Sequence, residues 1–254
     1  MAAVGLLYPG VSAADDYRHA EDMLADHPQG PVRFPVGVTS VGEDAHRVDA
    51  LLDLGSSTRL AQGADELLGE DSQGLGKDDP IGALVWACTS GSFVFGLDGA
   101  REQVSRLQRR TGVPTSSTSL AFVNATHDLG VTRVAVAASY PDDVAACFTE
   151  LLGRCGITVT SLTSHGIQTA AEVGTMDLES VSAMVRATDR RGAEAVLVPD
   201  TAMHTLAGLR PLEEEAGMPV LTANQVTVWE GLRLLGRRAH LAGLGSLAAE
   251  QVSR

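Results

Sequence analysis

Two short segments carry the residues best suited to chemistry. The first is Trp86-Ala87-Cys88-Thr89-Ser90-Gly91-Ser92, where a cysteine follows an apolar run and precedes small polar residues. A thiol at the mouth of a helix meets unpaired backbone N–H groups, which favour the thiolate and lower its pKa from about 8.5. The N–H groups of Thr89 and Ser90 also offer a seat for a carboxylate or a developing enolate oxygen. A lone cysteine is otherwise a small buried hydrophobe, and Cys147 and Cys155, on a helical pattern, fit that description. Cys88 does not, because its neighbours are small and polar where a core wants volume.

The second segment is Leu197-Val198-Pro199-Asp200-Thr201-Ala202. Again an apolar run ends, one residue intervenes, and a reactive side chain precedes Thr and a small residue. In a cleft that raises its pKa, Asp200 serves as a general acid or base; as an ordinary residue it caps a helix. His204, four residues on, would share a helical face with it and either supports the site or packs. Cys88 and Asp200 lie 112 residues apart in a chain of 254. The repetition reads as a pseudo-duplication, two lobes each ending a strand with a reactive group. Four matching residues are slight support, so the reading makes a geometric demand. Both side chains must face one cleft at roughly 10 Å, the span of a small substrate, with the N–H groups of Thr89 and Thr201 turned into it.

Two further positions belong to this set. Tyr140 follows the apolar run Val134–Ala138, at the C-terminal end of a strand where α/β proteins place ligand-binding groups; its phenol is a donor to an anionic oxygen, or a rim residue without function. The hydroxyl-rich run Pro114–Ser119 reads as an anion cradle, an inter-lobe hinge or plain linker.

The elements that must position these groups follow from the hydrophobic pattern. Strands are predicted at Val4–Tyr8, Val32–Thr39, Ala83–Trp86, Arg133–Ala138, Ile157–Leu162, Ala195–Val198 and Val220–Thr222. Helical periodicity fills His46–Leu60, Leu97–Thr111, Ser119–Leu129, Pro141–Cys155, Leu178–Arg190, Ala202–Ala216 and Val226–Leu235, with Asp177 as a helix cap. Strands alternating with helices imply an α/β fold of two pseudo-symmetric Rossmann-like lobes with parallel sheets and the active site between them. The expected division is 1–114 plus 217–254 for the first lobe and 115–216 for the second.

Charge and composition exclude several functions. Asp and Glu total 32 against 19 Lys and Arg, a formal charge of −13, which argues against nucleic acid or an anionic membrane surface as a partner. Lys77 is the only lysine, so Schiff-base chemistry is nearly excluded by counting, and Gly74-Leu75-Gly76-Lys77-Asp78 lacks phosphate-loop spacing. Gly243-Leu244-Gly245 is no dinucleotide fingerprint, and the histidines show no metal-ligand spacing. No metal and no cofactor are expected. The three cysteines form neither a disulfide framework nor a CxxC pair, the N-terminus lacks a basic region, and no apolar run reaches ~20 residues, so a cytoplasmic protein without a membrane span is expected. Self-association into a homo-oligomer is left open.

Trp86-Ala87-Cys88-Thr89-Ser90, Ser139-Tyr140-Pro141-Asp142-Asp143-Val144, Glu172-Val173-Gly174 and Leu221-Thr222-Ala223-Asn224-Gln225, with Gly5-Leu6-Leu7-Tyr8-Pro9 near the start, resemble the maleate cis–trans isomerase and arylmalonate decarboxylase branch of the Asp/Glu racemase superfamily. The resemblance implies two Rossmann-like lobes, cofactor-independent chemistry, and a last segment that returns to the first lobe. It makes Cys88 the nucleophile and Tyr140 a donor to a substrate carboxylate. The second-lobe cysteine of the racemases and isomerases is Asp200 here; Ser12 stands near one family asparagine, and Ala170 or Ala171 at another. Arylmalonate decarboxylases keep the second-lobe cysteine and lack the first, the reverse of this chain. Cys88 and Asp200 are therefore the expected catalytic pair, with Pro9, Ser12, Thr89, Ser90, Tyr140, Thr201 and Ala202 around a small carboxylate. The leading expectation is a cysteine-dependent isomerase of a small (di)carboxylic acid resembling maleate cis–trans isomerase, with Cys88 adding to the alkene of a maleate-like cis-diacid; the alternatives are an arylmalonate-type decarboxylase, an amino-acid or hydroxy-acid racemase, and a non-catalytic carboxylate-binding protein.

Overall fold

The computed structural model describes residues 2–10, 12–69, 80–237 and 244–248. Lys77, the Gly74–Asp78 run and Gly243 lie outside the described residues. The first sheet is built from β1 (Ala2–Pro9), β2 (Val32–Arg33), β3 (Val36–Thr39), β4 (Ile81–Trp86) and β5 (Thr115–Ser117). Around it run α1 (Asp15–Met23), α2 (Val48–Leu54), α3 (Ser57–Leu68), the single turn α4 (Ser90–Phe93), α5 (Gly96–Thr111) and α6 (Thr118–Asp128). The second sheet comprises β6 (Arg133–Ala138), β7 (Thr158–Ser164), β8 (Ala195–Val198) and β9 (Val220–Thr222). Its helices are α7 (Asp142–Arg154), α8 (Ala170–Val173), α9 (Leu178–Ala187), α10 (Leu209–Ala216) and α11 (Ala223–Leu234).

All pairings are parallel, and the strand orders are the same in the two sheets. β2 and β3 together edge β1, followed by β4 and β5; β7 edges β6, followed by β8 and β9. In each half the first strand is therefore central, and the third strand lies beside it. The third strands, β4 and β8, are those whose C-terminal ends carry Cys88 and Asp200. The duplication read from a few residues is thus a repeated topology.

The fourth strands differ from the expected lobe boundaries at 114/115 and 216/217. β5 bonds to β4 and stays in the first sheet, while β9 bonds to β8 and stays in the second. The crossings come afterwards, because the helix behind each fourth strand packs toward the other lobe. Phe122 of α6 meets Phe148 of α7 with ring centroids 5.4 Å apart. Gly231 of α11 lies on the first sheet, where an added Cβ would meet Val4 at 2.7 Å. α6 and α11 touch each other through the hydroxyls of Thr118 and Thr227, 2.6 Å apart.

Other differences have local causes. Val32–Thr39 splits at Phe34-Pro35, since proline supplies no N–H to a ladder. The expected helix His46–Leu60 breaks into α2 and α3 at Gly55-Ser56, where Gln103 Nε2 donates to the Gly55 carbonyl at 2.7 Å. Asp177 caps α9 through the Ser180 N–H at 2.9 Å, as its residue type favours. Few aromatics are present, and several cluster between the lobes: Phe93 packs on Tyr140 and Phe148, with centroids 5.6 and 5.4 Å apart. Burying each contributes about 2–3 kcal/mol, and the seam they form fixes α4 against the second lobe just behind Cys88.

Candidate active site

Cys88 and Asp200 line one cavity of about 230 Å³ between the sheets. The parallel strands that carry them deliver both side chains to the same end, the C-terminal edge where open α/β sheets bind ligands. Pro9, Ser12, Ser90, Thr201 and Ala202 line it too, so seven of the nine expected residues come together. Thr89 and Tyr140 do not reach its wall. Thr89 is fully buried; its carbonyl accepts from the Ser119 hydroxyl at 2.7 Å, and its own Oγ1 has no hydrogen-bond partner. Tyr140 is 1% exposed, its ring held edge-on by His46 and Phe93, and its hydroxyl donates to the Pro199 carbonyl. The donor expected to face a substrate thus braces the peptide just before Asp200.

Cys88 corrects the electrostatic expectation. Its Sγ accepts from the Gly91 N–H at 3.3 Å and lies 3.9 Å from the Ser90 hydroxyl. Those groups favour the thiolate, yet burial outweighs them and pushes the thiol up to about 12, helped by the charge of Asp200. A single helical turn carries too few aligned peptides to offset the loss of water. Gly91 is fixed by this packing: a Cβ there would meet both Cys88 Sγ and Trp86 at 3.1 Å.

The loop after β8 differs from its counterpart. Asp200 Oδ1 accepts from the Ala202 N–H at 2.9 Å, and Oδ2 accepts from the Ser139 hydroxyl. The expected helix Ala202–Ala216 does not begin there. Thr201–Met203 form turns, Leu206–Gly208 make a 3₁₀ turn, and α10 follows at Leu209. The start is delayed because Asp16, from α1, accepts the N–H groups of Thr205 and Leu206 at 2.9 and 3.2 Å. His204 accordingly shares no helical face with Asp200; its Nε2 lies 2.9 Å from Asp15.

The Pro114–Ser119 run is neither cradle nor linker. Its hydroxyls support the Cys88 loop from behind: Ser119 donates to the Thr89 carbonyl, and Ser92 donates to Ser117 at 3.0 Å. A stretch of small hydroxyl residues carries no sequence mark separating this role from a loop.

Several lining residues were not among the expected site residues. Tyr8, at the end of β1, donates to the Thr201 carbonyl at 2.9 Å and accepts from the Ala13 N–H at 3.1 Å. Burial raises its pKa far above the usual phenol value. The segment between β3 and α2 passes over the cavity and is tied to the second lobe. Asp44 accepts from the N–H groups of Ala170 and Ala171 at 2.8 and 3.0 Å, and the His46 N–H donates to the Gln168 carbonyl at 2.7 Å. Only the tertiary fold places this segment at the cavity. Among the described residues, no three His, Cys, Asp or Glu side chains are placed to share a metal ion. No helix among them is long and apolar enough to cross a membrane.

The family model for arylmalonate decarboxylase matches residues 72–248, a span that includes both strand-end loops. The chain belongs to the arylmalonate decarboxylase family. A curated arylmalonate decarboxylase from Bordetella bronchiseptica is 30% identical over 152 residues, 58% of this chain and 62% of that protein. A maleate isomerase from Geobacillus stearothermophilus is 26% identical over 170 residues, 65% of this chain and 68% of that protein. The fold of this family member is that of a cysteine-to-serine mutant of a Nocardia farcinica maleate cis–trans isomerase crystallised with a covalently bound succinylcysteine intermediate. That structure superposes with a TM-score of 0.82 at 21% identity, covering 98% of each chain.

Proposed function

We propose that the protein is a cysteine-dependent isomerase of a small carboxylic acid, acting without metal or coenzyme at the carbon beside a carboxylate. The observation that carries this reading is the meeting of Cys88 and Asp200 in one cavity. The arylmalonate decarboxylase and maleate isomerases among the relatives supply the substrate class, small acids with a reactive carbon next to a carboxylate.

A thiol raised to about 12 is protonated at neutral pH, so the reaction must begin by moving its proton. Asp200 is the acceptor in the same cavity. Cys88 sulfur then adds to one alkene carbon, and the electron pair of the double bond moves into the neighbouring carboxylate as an enediolate. The former double bond, now single, rotates. Return of the electron pair expels the sulfur, which recovers its proton from Asp200, and the trans acid remains. The Ser90 hydroxyl and the N–H groups of Ser90 and Thr201 stabilise the enediolate oxygens.

A second reading draws on the same pKa. A protonated thiol facing a carboxylate is also suited to a 1,1-proton transfer, with Asp200 removing the α-proton and Cys88 delivering one to the opposite face. Turnover in deuterated water separates the two: deuterium at the α-carbon of recovered acid favours proton transfer, and its absence in a trans product favours addition and rotation. Release of carbon dioxide from a malonate would instead place the chain with the decarboxylases. Unchanged turnover by Cys88→Ala on the true substrate would end all cysteine-based readings, whereas binding of small acids with no turnover of any of them by the unaltered chain would leave the protein a carboxylate binder. A cytoplasmic location and a homo-oligomeric state belong to the same proposal and are checked by fractionation and by light scattering.

A further inference from the structure

The charge of the cavity narrows the acid it takes, on the reading above that a small carboxylate binds there. Pseudo-symmetry offers two comparable positions for an anion, one against each strand-end loop. Against the first loop the position is open. Ser90 lines the cavity, and its hydroxyl is 3.9 Å from the neutral thiol, too long for a strong bond.

Against the second loop the chain fills the position itself. The buried carboxylate of Asp200 holds the Ala202 N–H and the Ser139 hydroxyl. A second substrate carboxylate in the equivalent place would meet these donors already taken and the carboxylate of Asp200 beside it. Among the described residues, the remaining wall adds Glu43, Asp44 and the imidazole of His46, and no Lys or Arg. The Nδ1 of His46 is taken up by the Ile167 carbonyl at 2.8 Å. Glu43 shares its charge with Arg47 at 2.8 Å, and Asp44 shares its own with two backbone N–H groups. Asp200 has neutral donors only, so its charge is left to act on whatever occupies the cavity. Like charges one substrate length apart repel far more in such a place than in water.

We infer that the site takes a monocarboxylate whose other end presents an N–H donor, such as an amide or ammonium, and disfavours the dianion of the same skeleton. The carboxylate sits against Ser90, and the N–H end faces Asp200, whose oxygens each keep a lone pair free.

The test is a matched pair of probes, maleate and its monoamide, titrated calorimetrically into the full chain where both maleate carboxylates are ionised. The monoamide is expected to bind at least about tenfold tighter. Raising the salt concentration should narrow that gap by relieving the penalty on maleate. Asp200→Asn, which keeps an acceptor for Ala202 and removes the charge, should bring the two affinities to within about threefold, with its thermal midpoint checking the fold. The wild-type pair and its salt dependence stand even if that variant misfolds. Maleate binding as tightly as the monoamide overturns this inference and leaves the proposed function in place. Binding of neither acid overturns both.

Discussion

The loops after β4 and β8 occupy equivalent places in a repeated topology and are filled in opposite ways. After β4, a backbone N–H bonds a neutral thiol, and the chain turns at once into α4. After β8, a backbone N–H bonds a carboxylate, and regular structure waits until Leu206. The first loop leaves an anion position open, while the second supplies its own anion. A symmetric backbone thereby yields a polar site in which a substrate has a defined direction. Asymmetry arises from one substitution in kind, thiol against carboxylate, and from what each does to the N–H groups around it.

Removing the thiol should have the largest effect. Cys88→Ala is expected to lower kcat by at least about a thousandfold while costing only about 1 kcal/mol of stability; steady-state rates beside a urea melt measure both. A small loss in rate would make the first loop no more chemical than the second.

Asp200→Asn should follow, with kcat reduced roughly a hundredfold to ten-thousandfold if the carboxylate moves a proton. Were Asp200 only a brace for Ala202, asparagine would serve equally and turnover would hold, so the rate alone decides between the two roles.

Gly91→Ala probes the packing that distinguishes the loops, because the counterpart Met203 already carries a side chain. A methyl group at 3.1 Å from Cys88 Sγ and from Trp86 must push the thiol aside. About a tenfold loss of kcat and about 1–2 kcal/mol of stability are expected, by kinetics and calorimetry. The same mutation leaving rates intact would show that the thiol position is not critical.

A pH effect is smaller and separates thiol from carboxylate. Cys88 titrates at about 12 in the folded state against an ordinary 9.0, so the folded chain holds this proton more tightly. Its contribution to stability is complete below pH 9.0 and is lost as the pH rises toward 12. Alkylation of Cys88 by iodoacetamide should therefore climb about tenfold per pH unit through neutrality with no plateau below pH 9, followed by mass spectrometry. An early plateau would mean that the thiolate is already formed.

Tyr8→Phe has the smallest expected effect, a few-fold rise in KM and about 1 kcal/mol of stability, since the phenol ties Thr201 to β1 through one hydrogen bond.

The strands of the second lobe were legible because buried parallel strands are short apolar runs: Arg133–Ala138, Ala195–Val198 and Val220–Thr222 form over the residues their pattern indicates. Cys88 and Asp200 were legible as chemical outliers at the ends of such runs. β5 was not, since Thr115–Ser117 is polar and buried among hydroxyl partners that come from elsewhere in the chain. α1 escaped notice because its first turn is Asp15-Asp16-Tyr17, a stretch whose acids only acquire meaning beside Thr205 and Leu206.

The sequence by itself determined the alternation of strand and helix, the placement of one reactive group at the end of each third strand, and the excess of negative charge. Tertiary structure alone decided how those groups behave. Burial, which no local pattern reports, reversed the expected pKa of Cys88 by outweighing its N–H neighbours. Partners distant in sequence turned Tyr140 from a substrate donor into a brace for Pro199 and delayed the helix after Asp200 by offering Asp16 as its cap. Composition and periodicity report what a residue can do; desolvation and long-range hydrogen bonds set what it does, because both depend on atoms that the chain brings close only when folded.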